Sequence, residues 1–379
     1  MADTEPRRLR RSKALPLPDQ VALVLQGGGA LGSYQAGVYE ALHDAGIGID
    51  FVAGISIGAI NAAIIAGNPP EARVEKLGRF WNILTSSLPS FPIWHNDHVR
   101  ELLHEWSAGF VATMGVPGFF TPRVLPPQFA TPGSCEALSF YDSAQLSGTL
   151  DSLIDWDLLN DGPVRIAVGA VDVESGNFNY FDNRTQRLDA RHIMASGALP
   201  PGLPPVEIDG RMWWDGGLVS NTPLSYVLDA QDAEMLVFQV DLFSAASGLP
   251  KTIMDVMARE KEIRFSSRTR QVSDGLLRLR REREIIRKVL AKLPGDMCAD
   301  PDVVALKALA QEYPVNVVHL IYRANAWEGG ARDYEFSART MNEHMAAGRT
   351  AIAETISNSA LVAKNILDGK TAAFDLARR

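Results

Sequence analysis

Residues 21–67 read VALVLQGGGALGSYQAGVYEALHDAGIGIDFVAGISIGAINAAIIAG. The first five are aliphatic without interruption, which suits a strand buried on both faces, as in a parallel sheet covered by helices. A glycine-rich turn follows. Small and apolar residues then recur at helical spacing (Ala36, Val38, Ala41, Leu42, Ala45) and predict a helix from Ser33 to Ala45, ended by Gly46. Phe51–Ala53 repeats the strand and Gly54–Gly58 the glycine turn. Ala59–Ala66 repeats the helix, stopped by Gly67 with Pro69 beyond. Strand, glycine turn and helix, twice over, is the signature of an α/β fold.

Outward from this core, residues 71–106 read as helical, with an interruption around SSLPSFPIW. Residues 109–133 are rich in Gly, Pro and Phe. A stretch that long without structure is uncommon in a compact domain unless it is a lid or binding loop. Its aromatics either line an acyl pocket or pack as a surface loop. VRIAVGAVDV (164–173) is a further strand with GNFNYFDN as its hairpin return, and a short helix must end before Pro200. EMLVFQVDLF (234–243) and VNVVHLIY (315–322) are strands, and 337–367 has a helical pattern. These readings divide the chain into a flexible N-terminal tail (1–19), a catalytic domain (20–243) and a mainly helical accessory region packed on it (244–379).

The composition narrows the function. The net charge of -8 over 379 residues argues against a nucleic-acid binder. The span 251–292 departs from this, with 13 Lys or Arg against 6 Asp or Glu. It could seat the protein on an anionic lipid surface. The interspersed acids favour the other reading, solvated helix faces carrying i,i+4 pairs. The basic N-terminus lacks the apolar run of a secretory signal, and no stretch approaches the roughly 20 apolar residues that span a bilayer. Cys135 and Cys298 suit neither a disulfide framework nor a metal site. A soluble, cytoplasmic protein is expected, with peripheral membrane contact and self-association both left open.

Chemistry is signalled first by Gly54-Ile-Ser56-Ile-Gly58, between a strand and a helix. A serine in such a turn has its hydroxyl exposed at the sheet edge, with the helix N-terminus aimed at it. The other reading is a helix-capping serine. GGGALG (27–32) has two readings as well. As a dinucleotide loop it wants an acid near residue 50 at the end of the second strand, but Asp50 precedes that strand. As an oxyanion hole, its glycine amides reach an acyl carbon without side-chain clashes, and this reading fits better.

A serine nucleophile needs a base. None of the seven histidines (His43, His95, His98, His104, His192, His319, His344) lies in a glycine turn at a strand end. Asp215 does, in Trp213-Trp214-Asp215-Gly216-Gly217. Its aromatic neighbours could exclude water and raise its pKa, although Asp-Gly is also a common plain turn.

GGGALG, GISIG and WDGG in this order, supported by VRIAVGAVDVESG and RHIMASGALPPGLPPVEIDGRMWWDGGLVSNTPL, resemble the patatin-like phospholipase family over roughly residues 20–243. Asn221 and Pro223 belong to the resemblance, and 244–379 is similar to an added region of some bacterial members. It implies a three-layer α/β/α fold with a mostly parallel central sheet and a Ser56–Asp215 dyad. Gly27, Gly28 and Gly29 would form the oxyanion hole, and Gly32, Gly54, Gly58, Gly216 and Gly217 would support the motifs. It implies hydrolysis of fatty-acyl esters or phospholipids through an acyl-enzyme, with no cofactor or metal. Acyl transfer and a non-catalytic lipid-associated role are the alternatives.

Overall fold

The computed structural model describes residues 10–12, 15–86, 97–266, 269–310, 313–325 and 328–376. Nine strands form one sheet: β1 (Gln20–Leu25), β2 (Phe51–Gly54), β3 (Arg165–Asp172), β4 (Phe178–Asp182), β5 (Val206–Ile208), β6 (Arg211–Asp215), β7 (Met235–Asp241), β8 (Val315–Ile321) and β9 (Ala372–Asp375). Six of them run parallel in the order β9-β8-β7-β1-β2-β3. β4 and β6 pair antiparallel with β3, and β5 with β6.

The helices that matter to the site are α1 (Gly32–Asp44), α2 (Ile57–Ala66), α3 (Pro70–Thr85), α4 (Asp97–Met114), α5 (Ala190–Ser196), α6 (Leu224–Asp229), α7 (Ile253–Phe265), α8 (Thr269–Leu290) and α9 (Ala338–Ser357). Side chains alternate across a strand, and β1 shows the result. Val21, Leu23 and Leu25 join the core under α1, α2, α3 and α9, while Ala22 and Val24 join a second core under α6. Both faces are covered, giving three layers, α/β/α, around a mostly parallel sheet with a helix-rich C-terminal region.

One detail of the pairing positions the site. β2 covers one edge of β3 only as far as Val168. β4 occupies the other edge over Ala167–Val171. β6, which pairs with Ala170–Asp172, must therefore take the same edge as β2, just beyond where β2 stops. It runs back towards β2 and ends at Asp215, opposite Ala170. The last residue of β6 thus meets the turn that leaves β2.

The segment after residue 243 adds β8 and β9 to the sheet edge. It also lays α9 across α1. A Cβ on Gly37 would lie 2.0 Å from the Met345 carbonyl oxygen, and one on Gly348 2.3 Å from that of Tyr34. The basic span becomes α7 and α8, where Arg264–Glu260, Arg278–Glu282 and Lys288–Glu284 pair one turn apart. This is the solvated-face reading.

The N-terminal tail expectation needs a correction at its end: Leu15 and Leu17 are buried in the main core. Most of SSLPSFPIW, like residues 1–9, lies outside the described residues.

The helix crossing is directly testable. Gly37→Val has no room against the Met345 backbone and is expected to lower unfolding stability by about 3 kcal/mol in urea denaturation.

Candidate active site

Ser56 sits between β2 and α2 at φ 55, ψ −124, a backbone conformation that costs a non-glycine residue on the order of 1–3 kcal/mol. Its surroundings hold it there. The Ser56 N–H reaches the Ser196 carbonyl (3.1 Å) and the Ser196 Oγ (3.0 Å), and its carbonyl accepts from the Ala59 N–H at 2.9 Å. The turn needs its glycines because backbones touch. A Cβ on Gly54 would lie 2.3 Å from the Gly58 carbonyl oxygen, and one on Gly58 2.4 Å from that of Leu25. So tight a turn leaves the serine hydroxyl no place but the pocket.

The glycine loop after β1 lies alongside. Gly27 donates its N–H to the Asn221 carbonyl at 3.3 Å. Gly28 and Gly29 donate to no protein acceptor among the described residues. Gly29 starts a single 3₁₀ turn (Gly29–Leu31) at φ +55, with the Asp333 carbonyl oxygen where a Cβ would be. Of the three glycine amides, the Gly27 N–H is thus already engaged, whereas those of Gly28 and Gly29 have no protein acceptor among the described residues. Gly32 opens α1 directly behind them.

Asp215 ends β6, 2% exposed. Burial raises its pKa to about 7, while contact with the Ser56 side chain and the Gly217 amide pulls the other way. The Gly217 N–H donates to Oδ1 at 2.7 Å, and Gly216 and Gly217 form the turn that makes this contact. Neither Trp213 nor Trp214 lines the pocket; Trp213 packs in the core against Phe181, ring centroids 5.0 Å apart.

The pocket holding Ser56, Asp215 and the glycine loop has about 810 Å³ of empty space, part of it open to solvent. Its walls are largely apolar. Phe119 and Phe120 from the Gly/Pro/Phe-rich stretch line it with Tyr141, Leu199 and Leu203, whereas Phe129 of the same stretch is exposed. Phe243 joins them from the end of the catalytic domain, and the C-terminal region adds Phe265, Tyr334 and Phe336. It also supplies the ion pair Lys261–Asp333.

The histidines whose side chains are described do not line the pocket. His192 Nδ1 accepts from the Asp189 N–H at 3.0 Å, His319 lies on β8 near Asp241, and His344 is buried on α9. His43 lies at the exposed end of α1. His95 and the side chains of His98 and His104 lie outside the described residues. Asp50 accepts from the Val21 N–H at 2.8 Å, at the opposite end of β1 from the glycine loop. It is too far from that loop to bind a ribose, which removes the dinucleotide reading.

Sequence reading missed Gln26, whose side chain joins four segments. Its Oε1 accepts from the Leu242 (2.6 Å) and Phe243 (2.9 Å) amides. Its Nε2 donates to Thr222 Oγ1 (3.0 Å) and the Phe265 carbonyl (3.1 Å). Asn221 Nδ2 reaches the same Phe265 carbonyl and that of Gly27, both at 2.9 Å. The only sequence signal was a polar residue interrupting an apolar strand end. Among the described residues, no group of His, Cys, Asp or Glu could hold a metal ion.

Residues 23–228 match a family model described as patatin-like phospholipase, and residues 263–365 match another described as patatin phospholipase. The lysophospholipase NTE1 of Saccharomyces cerevisiae is 27% identical over 238 residues, 61% of this chain and 11% of its own length. The patatin-like phospholipase domain-containing protein ZK370.4 of Caenorhabditis elegans is 26% identical over 204 residues, 54% of this chain and 12% of its own length. The chain thus spans about a tenth of the length of these relatives. Among solved structures, VipD from Legionella pneumophila aligns over 98% of this chain and 82% of its own, with 14% identity and a TM-score of 0.37.

The burial of Asp215 has a thermodynamic signature. Its folded pKa of about 7 lies above the usual 3.8, so the unfolded chain ionises first. The stability this group contributes is full below about pH 4 and is lost as pH rises to about 7. Asp215→Asn removes that loss. The variant is expected to be more stable than wild type by a few kcal/mol at pH 8, with the gap narrowing towards pH 4 in chemical denaturation.

Proposed function

Because this chain belongs to the patatin-like phospholipase family, we propose that it is a serine acyl-ester hydrolase in which Ser56 and Asp215 act as a dyad. The observation that carries the reading is the meeting of three things in one largely apolar pocket. These are a serine on a strained turn, a buried carboxylate beside it, and two glycine amides without a protein acceptor among the described residues.

The chemistry follows from these groups. Ser56 Oγ attacks the acyl carbon as its proton passes to the Asp215 carboxylate, and the carbonyl oxygen becomes an oxyanion facing the Gly28 and Gly29 amides. Collapse expels the alcohol, which takes the proton from Asp215 and leaves the acyl group on Ser56. Water then attacks, giving its proton to Asp215. The second collapse releases the fatty acid and returns that proton to Ser56. A pKa near 7 suits this cycle, since the carboxyl is about half ionised at neutral pH and basic enough to accept a proton.

Phe119, Phe120, Leu199 and Leu203 fit an acyl chain, so the substrates proposed are fatty-acyl esters and phospholipids met at a lipid surface. No helix among the described residues is long and apolar enough to cross a membrane, and neither exposed cysteine is paired. Both facts fit the cytoplasmic, peripheral placement proposed here. The second match, over residues 263–365, supports a place among the bacterial members with an added C-terminal region.

With a short p-nitrophenyl ester, Ser56→Ala is expected to lose about 10³-fold or more in kcat. A fluorophosphonate should label wild type at Ser56. An unlabelled Ser56 in a folded protein, or full turnover by the alanine variant, contradicts the proposal. In wild type, kcat/KM should fall about tenfold per pH unit below about 7, as Asp215 becomes protonated.

A further inference from the structure

A buried polar chain runs from the glycine loop into the C-terminal region. The Ser33 hydroxyl donates to the Ala30 carbonyl at 3.0 Å, within the turn that starts at Gly29. The same oxygen lies 3.2 Å from His344 Nδ1. His344 Nε2 lies 3.6 Å from Glu328 Oε2. Glu328 accepts from the Tyr322 hydroxyl at 2.7 Å and from the Asn325 backbone and side-chain N–H groups at 2.9 and 2.8 Å. Ser33, His344 and Glu328 are at most 2% exposed. α9 can bring His344 this close because its backbone touches that of α1 at Gly37 and Gly348.

The Ser33 oxygen has two polar neighbours, the Ala30 carbonyl of the glycine loop's turn and Nδ1 of His344 on α9. Burial alone would raise the Glu328 carboxyl, but His344, the Asn325 amide and Tyr322 outweigh it and hold it at about 2, so a carboxylate faces His344. Without the His344 contact the Ser33 hydroxyl is free to turn away from Ala30, leaving a buried carbonyl short of a partner.

We infer that His344, seated beside the Glu328 carboxylate, locks the Ser33 hydroxyl onto the Ala30 carbonyl and so fixes the turn that presents the Gly28 and Gly29 amides. This gives the C-terminal region a task in the chemistry. Ser33, His344 and Glu328 are positioning residues, since none lines the pocket. Such preorganisation matters because an oxyanion donor is effective only while it is held in place. The inference rests on the Ser56–Asp215 reading of the site.

The test is a double-variant cycle on the full chain with a short p-nitrophenyl ester. Ser33→Ala removes one oxygen. Glu328→Gln keeps the shape and removes the carboxylate that faces His344. Each is expected to lower kcat, Ser33→Ala by about tenfold and Glu328→Gln by about three- to tenfold, with KM within about twofold of wild type. The double variant should be no slower than Ser33→Ala alone, because Glu328 acts on the loop only through His344 and that hydroxyl. Wild-type kcat in Ser33→Ala, a loss confined to KM, or losses that multiply would overturn the inference. If Glu328→Gln does not fold by circular dichroism, Ser33→Ala decides alone. A dead Ser56→Ala beside an unimpaired Ser33→Ala sinks only this inference, whereas an active Ser56→Ala removes both.

Discussion

The Asp215 carboxyl is withdrawn from water and faces the Ser56 side chain, with the Gly217 amide as its other close partner. Everything else at the site serves that contact. β6 must take the edge of β3 that β2 vacates, so that its last residue meets the turn leaving β2. Ser56 must keep a positive φ, which the Ser196 carbonyl and hydroxyl secure through its N–H. Bulk water must be kept off Asp215, and the chain lines the pocket with aromatic side chains that include some well outside the first 243 residues. A carboxylate so buried destabilises the folded protein at neutral pH. That cost is typical of a site kept for function rather than stability.

The C-terminal region is bound into the same structure at several levels. It extends the sheet by two strands, lays α9 along α1 at two glycines, and closes the pocket with Phe265, Tyr334 and Phe336. The end of α7 is tied to the glycine loop through one carbonyl, that of Phe265, which accepts from both Gln26 and Asn221. Ion pairs from Lys261 to Asp333 and from Arg332 to Glu262 join α7 to the 332–334 turn that presses on Gly29. The glycine loop is therefore braced from behind by α9 and from the side by α7.

The parts of this arrangement legible in the sequence were those set by local chemistry. VALVL announces a strand buried on two faces, and the structure sends its alternate side chains into two cores. GISIG and WDGG announce turns where backbones crowd. Gln26, Ser33, His344 and Glu328 were not legible as a set, because their meaning arises only when β1, α1 and α9 come together across some 300 residues of chain. Which aromatics line the pocket was not legible locally. Trp214 points to the opposite face of its strand from Asp215, Trp213 packs against Phe181, and the pocket aromatics come from residues 119–141 and 243–336.

The most direct measurement is a crystal structure of the protein inactivated by a small alkyl fluorophosphonate. The account predicts phosphorus bonded to Ser56 Oγ, with the phosphoryl oxygen about 2.7–3.1 Å from the Gly28 and Gly29 amides and the Asp215 carboxyl beside the adduct. An adduct on another residue, or one whose phosphoryl oxygen points away from those amides with Asp215 out of reach, would contradict it.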